Sequence, residues 1–192
     1  MRALFIGDSI VEGSIGASFT DIIERERPHV VIENHGIPGD TLPGICRRLL
    51  RRLEREAGYD CILLEGGHND ICMAGWFSRE GDAADDLAGI LDRALVQVRH
   101  IYKGKLVLAT LSCLGEDLDA AENRIRSRLN GRIFDLAAKY GCRVADVGGA
   151  FDQVLAGREG GGRLLLTIDG VHLNAKGAEI YAREIGRCLD GD

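Results

Sequence analysis

Acyl transfer by a serine needs a hydroxyl nucleophile, a base for its proton, a group that orients the base, and donors for the oxyanion. Residues of those types stand at four places in this chain, each in or beside a glycine-marked turn. Gly7-Asp8-Ser9-Ile10 follows a short apolar run, so the Ser9 hydroxyl sits at a tight turn, and a helix after it would favour a nearby anion. Near the other end, Asp169-Gly170-Val171-His172-Leu173-Asn174 puts a carboxylate three residues before an imidazole. On a turn, that spacing lets Asp169 reach His172 and fix its tautomer, which makes His172 the natural base.

Two further turns supply donors. Asn34-His35-Gly36-Ile37-Pro38-Gly39-Asp40-Thr41 contains Gly39, whose lack of a side chain lets its N–H approach a ligand closely. Glu65-Gly66-Gly67-His68-Asn69-Asp70 contains Asn69, which offers a side-chain amide. With the Ser9 N–H these make three candidate oxyanion donors. Each residue also has a plainer explanation. Ser9 could cap a turn, His172 could start a helix, Asn69 could bond loop backbone, and Gly39 could relieve a positive φ. The conjunction of all of them, not any one, favours chemistry. His68 reads as a structural residue or a substrate contact, and His35 as structural. Trp76 and Phe77, just downstream, either line an acyl or alcohol pocket or cover the core.

Chemistry of this kind needs a frame. Short, mostly apolar runs at Ala3–Ile6, Val30–Glu33, Cys61–Leu64, Leu106–Thr110 and Arg143–Ala145 lack clear alternation, as strands covered on both faces do. Helical spacing runs through Phe19–Arg27, Pro43–Glu56, Asp82–Tyr102, Ala120–Lys139 and Ala175–Leu189, with Pro28 as a stop and Asp40, Thr41 and Asn174 as caps. Strand–helix repetition predicts an α/β fold: a three-layer α/β/α sandwich on a five-stranded parallel sheet, in the flavodoxin-like order 2-1-3-4-5. Ligands of such sheets bind beyond the carboxyl ends of the strands, where all four turns fall. At 192 residues one domain, 1–192, is expected.

The remaining composition excludes more than it suggests. A net charge of −6 leaves no footprint for nucleic acid. Arg47, Arg48, Arg51, Arg52 and Arg55 cluster on one predicted helix and read as its solvated face. No apolar run approaches a membrane span, and Ala3–Ile6 is too short for a signal core, so a cytoplasmic protein is expected. The six cysteines, Cys46, Cys61, Cys72, Cys113, Cys142 and Cys188, include no C-x-x-C pair and read as reduced thiols, with Cys72 and Cys113 near the rim of the site. Metal-ligand spacing, a dinucleotide fingerprint and a Walker loop are absent from the sequence, so neither metal nor cofactor is expected.

Gly-Asp-Ser near the N-terminus, Gly39 in Pro-Gly-Asp-Thr, Gly67-x-Asn69-Asp70 and Asp169-x-x-His172 resemble the four signature blocks of the SGNH (GDSL-like) hydrolases, in order, across nearly the whole chain. The resemblance implies Ser9 as nucleophile, Gly39 and Asn69 as oxyanion donors, Asp169 as orienter and His172 as general base, with esters or thioesters as substrates. Ile10 departs from the leucine of the family's name, a conservative apolar change. Gly-His-Asn-Asp is similar to the form in carbohydrate-acetylesterase branches. The expected activity is hydrolysis of a small-molecule carboxylic ester with a short acyl chain. The alternatives are a thioesterase or lysophospholipase, a carbohydrate O-acetylesterase, and a non-catalytic ligand-binding module on the same sheet. An apolar helix face could serve a homo-oligomer.

Overall fold

The computed structural model describes residues 1–74, 80–157 and 163–190. Five strands, β1 (Arg2–Gly7), β2 (Val31–Gly36), β3 (Cys61–Leu64), β4 (Lys105–Ala109) and β5 (Arg143–Ala145), form one parallel sheet in the order β2-β1-β3-β4-β5. Among the described residues eight helices accompany them: α1 (Ser9–Glu12), α2 (Phe19–Glu26), α3 (Leu42–Arg55), α4 (His68–Ala74), α5 (Glu80–Ile101), α6 (Ala121–Tyr140), α7 (Val147–Ala156) and α8 (Ala175–Asp190). The α/β/α sandwich and strand order are those expected from the sequence.

Side chains alternate across a strand, so each apolar run feeds two cores. Leu4, Ile6, Ile62, Leu64, Leu106 and Leu108 pack with α3, α5 and α6 on one face. Ala3, Phe5, Cys61, Leu63, Val107 and Ala109 pack with α2, α7 and α8 on the other. Burying each large side chain is worth about 1.5–3 kcal/mol, which is what fixes the sheet.

The structure departs from the sequence-based expectation where local signals are weak. Strand β2 runs on to Gly36 because it stays in register with β1 through the pair Gly7 and Gly36. Helix α7 has no clear sequence signal: Gly148 and Gly149 are poor helix formers, but Asp146 accepts from Gly149 N–H at 3.1 Å, and Phe151 and Leu155 are buried. Helix α3 is not capped by a side chain of Asp40 or Thr41. Instead Asp70 reaches across from α4 to accept the Leu42 N–H at 2.8 Å.

The arginines of α3 are not all a solvated face. Arg48 donates to Asp40 Oδ2 and to the carbonyls of His35 and Gly7, at 2.7, 2.8 and 2.9 Å. Arg52 bonds Glu33, Glu56 and the Tyr59 hydroxyl. Strand β2 lies at the sheet edge, and these two cations tie α3 to it and to the neighbouring end of β1. Arg47, Arg51 and Arg55 are exposed, as expected.

Candidate active site

The turns after the strands meet at one edge of the sheet. Strand β1 ends at Gly7, and Asp8 caps the next turn by accepting the Ile10 N–H at 2.9 Å, so Ser9 opens α1 with only 7% of its surface exposed. From the far end of the chain comes the segment 163–174. It is closed by a bridge between Thr167 and Leu173 and by the Ile168 N–H on His172 O at 2.8 Å. Its tip needs a glycine: Gly170 has φ +95°, and its carbonyl accepts the Gly115 N–H at 2.8 Å.

Within that tip, Asp169 Oδ1 accepts the N–H groups of Val171 and His172 at 3.0 and 2.8 Å. Its Oδ2 lies 2.7 Å from His172 Nδ1, and His172 Nε2 lies 3.0 Å from Ser9 Oγ. Partial burial pushes the Asp169 carboxyl up, but the bonds from His172 and the Val171 N–H outweigh it and hold it below the usual carboxylate range. An ionised Asp169 keeps the proton of a neutral His172 on Nδ1 and leaves Nε2 free to accept from Ser9. Although Ser9 and His172 are 163 positions apart in the chain, serine, histidine and aspartate form one hydrogen-bonded line.

The donor side is assembled from two other turns. Gly39 is exposed, with φ +75° and nothing within 4 Å of where a Cβ would stand. Asn69 lies in the first turn of α4, not in a loop, and its Nδ2 donates to Asp40 O at 2.9 Å. One amide hydrogen of Asn69 therefore fastens the Gly39 turn, and the amide carries a second.

Residues 5–180 match the GDSL-like Lipase/Acylhydrolase family. The chain belongs to that family. It is accordingly an ester-hydrolysing enzyme, and the binding-module alternative falls away. Solved structures share the fold. A member of the lipolytic G-D-S-L family from Veillonella parvula has 20% identity and a TM-score of 0.77, with 97% of each chain covered. An acetylxylan esterase from Geobacillus stearothermophilus has 21% identity and a TM-score of 0.75, covering 100% of this chain and 94% of that one. An alpha/beta hydrolase enzyme from the metagenome of Lake Arreo, Spain, has 19% identity and a TM-score of 0.75, covering 99% and 96%. No curated protein sequence matches.

Other residues of this GDSL-like enzyme match expectation only in part. His68 is in the interior at 2% exposure, among Glu65, Asp8 and Ser112, where no substrate can reach it. Trp76 and Phe77 lie outside the described residues. Cys113 is not at a rim: burial pushes its thiol up to about 12. All six cysteines are unpaired. Cys72 is exposed and, with Leu114, Gly115, Ala120 and Val171, lines a cavity of about 250 Å³ whose polar wall is Asp117, Glu122 and Asp169. Among the described residues no helix is long and apolar enough to cross a membrane.

Two positioning carboxylates lie outside the sequence-derived set. Glu116, buried with φ +57°, accepts the N–H groups of Leu165, Leu166 and Thr167 and the Thr167 hydroxyl, at 2.7–2.8 Å. It clamps the segment that carries Asp169 and His172. Asp70 caps α3 and so holds the Gly39 turn from behind. The acid at position 70 is visible inside its motif. Glu116 gives no signal, because its partners are backbone groups about 50 residues away.

Proposed function

We propose that this enzyme hydrolyses short-chain carboxylic esters through an acyl-Ser9 intermediate. The observation that carries the reading is the line Ser9 Oγ, His172, Asp169, with contacts of 3.0 and 2.7 Å. Ser9 Oγ attacks the ester carbonyl while its proton passes to His172 Nε2. The oxyanion formed is held by the N–H groups of Ser9 and Gly39 and by the Asn69 amide. Collapse breaks the ester bond, and His172 returns the proton to the departing alcohol. Water then attacks the acyl-serine, losing its proton to His172, and the acid and free Ser9 are released. Asp169 orients the imidazole and balances its charge without accepting the proton.

The small cavity beside Asp169, about 250 Å³, supports short acyl or compact alcohol groups over long chains. A second reading, deacetylation of a carbohydrate, draws on the acetylxylan esterase neighbour and on the carboxylate wall of that cavity, which suits hydroxyl groups. Substitutions described as catalytic mutants of that neighbour fall on a serine, an aspartate and a histidine, the last two three positions apart, as Asp169 and His172 are.

Fluorophosphonate labelling with intact mass and peptide mapping tests the mechanism. One adduct on Ser9 is expected, with none in Ser9→Ala and no turnover by that folded variant. Turnover by Ser9→Ala would end the reading. Rates on acetyl, butyryl and palmitoyl esters, and on acetylated xylo-oligosaccharides, test the substrate. A preference for the palmitoyl ester would remove the short-chain assignment.

A further inference from the structure

Behind the Ser9 turn, three ionisable side chains are shut away from water together. Asp8, Glu65 and His68 are 1%, 0% and 2% exposed, and one atom from each lies within 4.8 Å of the others. His68 Nδ1 is 3.3 Å from Glu65 Oε1 and 3.9 Å from Asp8 Oδ2. On its other side, His68 Nε2 is 3.2 Å from both the carbonyl and the hydroxyl of Ser112, and Ser112 Oγ accepts the Tyr181 hydroxyl at 3.0 Å. Asp8 Oδ2, both Glu65 carboxyl oxygens and His68 Nδ1 have no hydrogen-bond partner. None of the three takes part in the acyl-transfer steps.

Buried polar atoms without partners are rare and call for an explanation. Two bare carboxylates this deep would repel each other with no water to screen them. An imidazolium between them removes the conflict. Its Nδ1 lies 3.3 Å from Glu65 Oε1, its Nε2–H reaches the Ser112 carbonyl, and one further proton on the carboxyl pair makes the group neutral. The arrangement matters because two of the three are chain neighbours of site residues. Asp8 is joined to Ser9, and His68 is joined to Asn69. The cluster therefore ties together the backbones that present the nucleophile and the amide donor.

We propose that Asp8, Glu65 and His68 form one proton-sharing cluster that positions the oxyanion hole. It rests on the reading of Ser9, Gly39 and Asn69 as the oxyanion donors. All three members of the cluster are positioning residues, since none touches substrate. The charged and titratable groups that face Asp8 are Glu65 after β3, His68, Asp70 and Cys72 on α4, and Tyr181 on α8. Burial and the Glu65 charge push the Asp8 carboxyl up to about 7. Burial alone would push His68 down, but Glu65 and Asp8 outweigh it and raise it. Burial keeps the Tyr181 hydroxyl neutral.

Three measurements on the full chain decide the matter. In ¹⁵N spectra of the wild-type enzyme, His68 is expected to keep protons on both ring nitrogens to a higher pH than an ordinary histidine does. A His68 that loses its proton at or below the ordinary histidine value would overturn the cluster. Next, kcat and KM are measured for His68→Gln and Glu65→Gln, with active sites counted by fluorophosphonate uptake. His68→Gln should lose about 10- to 100-fold in kcat per labelled site while KM changes by less than about 3-fold. A merely structural histidine would lower thermal stability and the labelled fraction, with wild-type kcat at the sites that remain, and that result also overturns the proposal. Should His68→Gln not fold, the wild-type spectra still decide. Finally, metal analysis of the purified enzyme should find no stoichiometric ion. One equivalent of a divalent metal would replace the shared protons with a coordination site. If the wild-type enzyme itself fails to label, the acyl-enzyme reading fails, while the ¹⁵N spectra still report on the cluster.

Discussion

Among the described residues, two carboxylate–histidine groupings lie close to Ser9, and they are built on opposite principles. Asp169 and His172 lie on an exposed loop, their side chains 48% and 18% accessible, and every facing atom has a partner. Asp8, Glu65 and His68 lie under the strand ends, almost fully buried, and the facing atoms have none. The first holds its aspartate below the usual range, and the second pushes its aspartate up to about 7. The same residue types thus give an ionised, fully bonded carboxylate where water and N–H groups reach, and a carboxyl that holds its proton where they do not. Environment, not residue type, sets the role.

The sharpest break is at the exposed pair. Asp169→Asn keeps the size of the side chain but removes the charge and lets His172 adopt the wrong tautomer. A fall in kcat of about 10³- to 10⁴-fold is expected, with KM nearly unchanged. Steady-state kinetics on an activated acetyl ester will measure it. A loss of less than about tenfold would mean that Asp169 does not orient the base.

The buried grouping answers to pH with the opposite sign. A carboxyl raised from 3.8 to about 7 in the folded state is fully compatible with folding below its unfolded value, and stability is lost as pH rises from about 4 to 7. At 1.36 kcal/mol per unit, Asp8 costs the fold on the order of 4 kcal/mol above pH 7. Asp8→Asn should remove that dependence, so the variant gains on the wild type between about pH 5 and pH 8 in urea unfolding. Equal pH dependence in the two proteins would show that Asp8 ionises normally and would dissolve the contrast with Asp169.

Glu116 tests the other half of the comparison, because it is a buried carboxylate with every bond supplied. Burial pushes it up, but the N–H groups of Leu165, Leu166 and Thr167 and the Thr167 hydroxyl bring it below its ordinary value. Its stabilisation is therefore present above pH of about 4.3 and is lost as pH falls through its lowered folded value. Glu116→Gln keeps the shape but can accept with only one oxygen, and should cost roughly 2–3 kcal/mol at pH 7. The difference from wild type should shrink below about pH 4. Circular-dichroism melts at both pH values will show whether it does, and an equal deficit at both would place the loss in packing.

These contrasts mark how far the sequence could be read. The strands are legible because buried parallel strands are apolar on both faces, and Leu4, Phe5 and Ile6 allow little else. Ser9, Gly39, Asn69, Asp169 and His172 stand out in the sequence because each lies in or beside a glycine-marked turn after a strand or before a helix. The buried cluster is not. Asp8 and Glu65 are 57 positions apart, and only the register of β1 against β3, with Ile6 opposite Leu64, brings them together. The same limit hides Arg48, Arg52 and Glu116, whose partners are carbonyls, N–H groups and acids supplied by the fold.

The smallest expected effect concerns Gly39, where two explanations coexist. Its φ of +75° alone favours glycine, and the space before its Cβ is open, so a side chain there meets no protein atom. Gly39→Ala should cost about 1–2 kcal/mol through backbone strain. Gly39→Asn should cost less, because asparagine tolerates the left-handed region. If glycine serves only the backbone angle, Gly39→Asn keeps near-wild-type kcat. If substrate occupies the open space, both variants lose activity regardless of stability, with KM rising more than kcat falls. Kinetics paired with unfolding curves for the two variants separate these outcomes. The second pattern would make Gly39 a specificity determinant as well as a donor, on the exposed side of the site where the buried cluster has no reach.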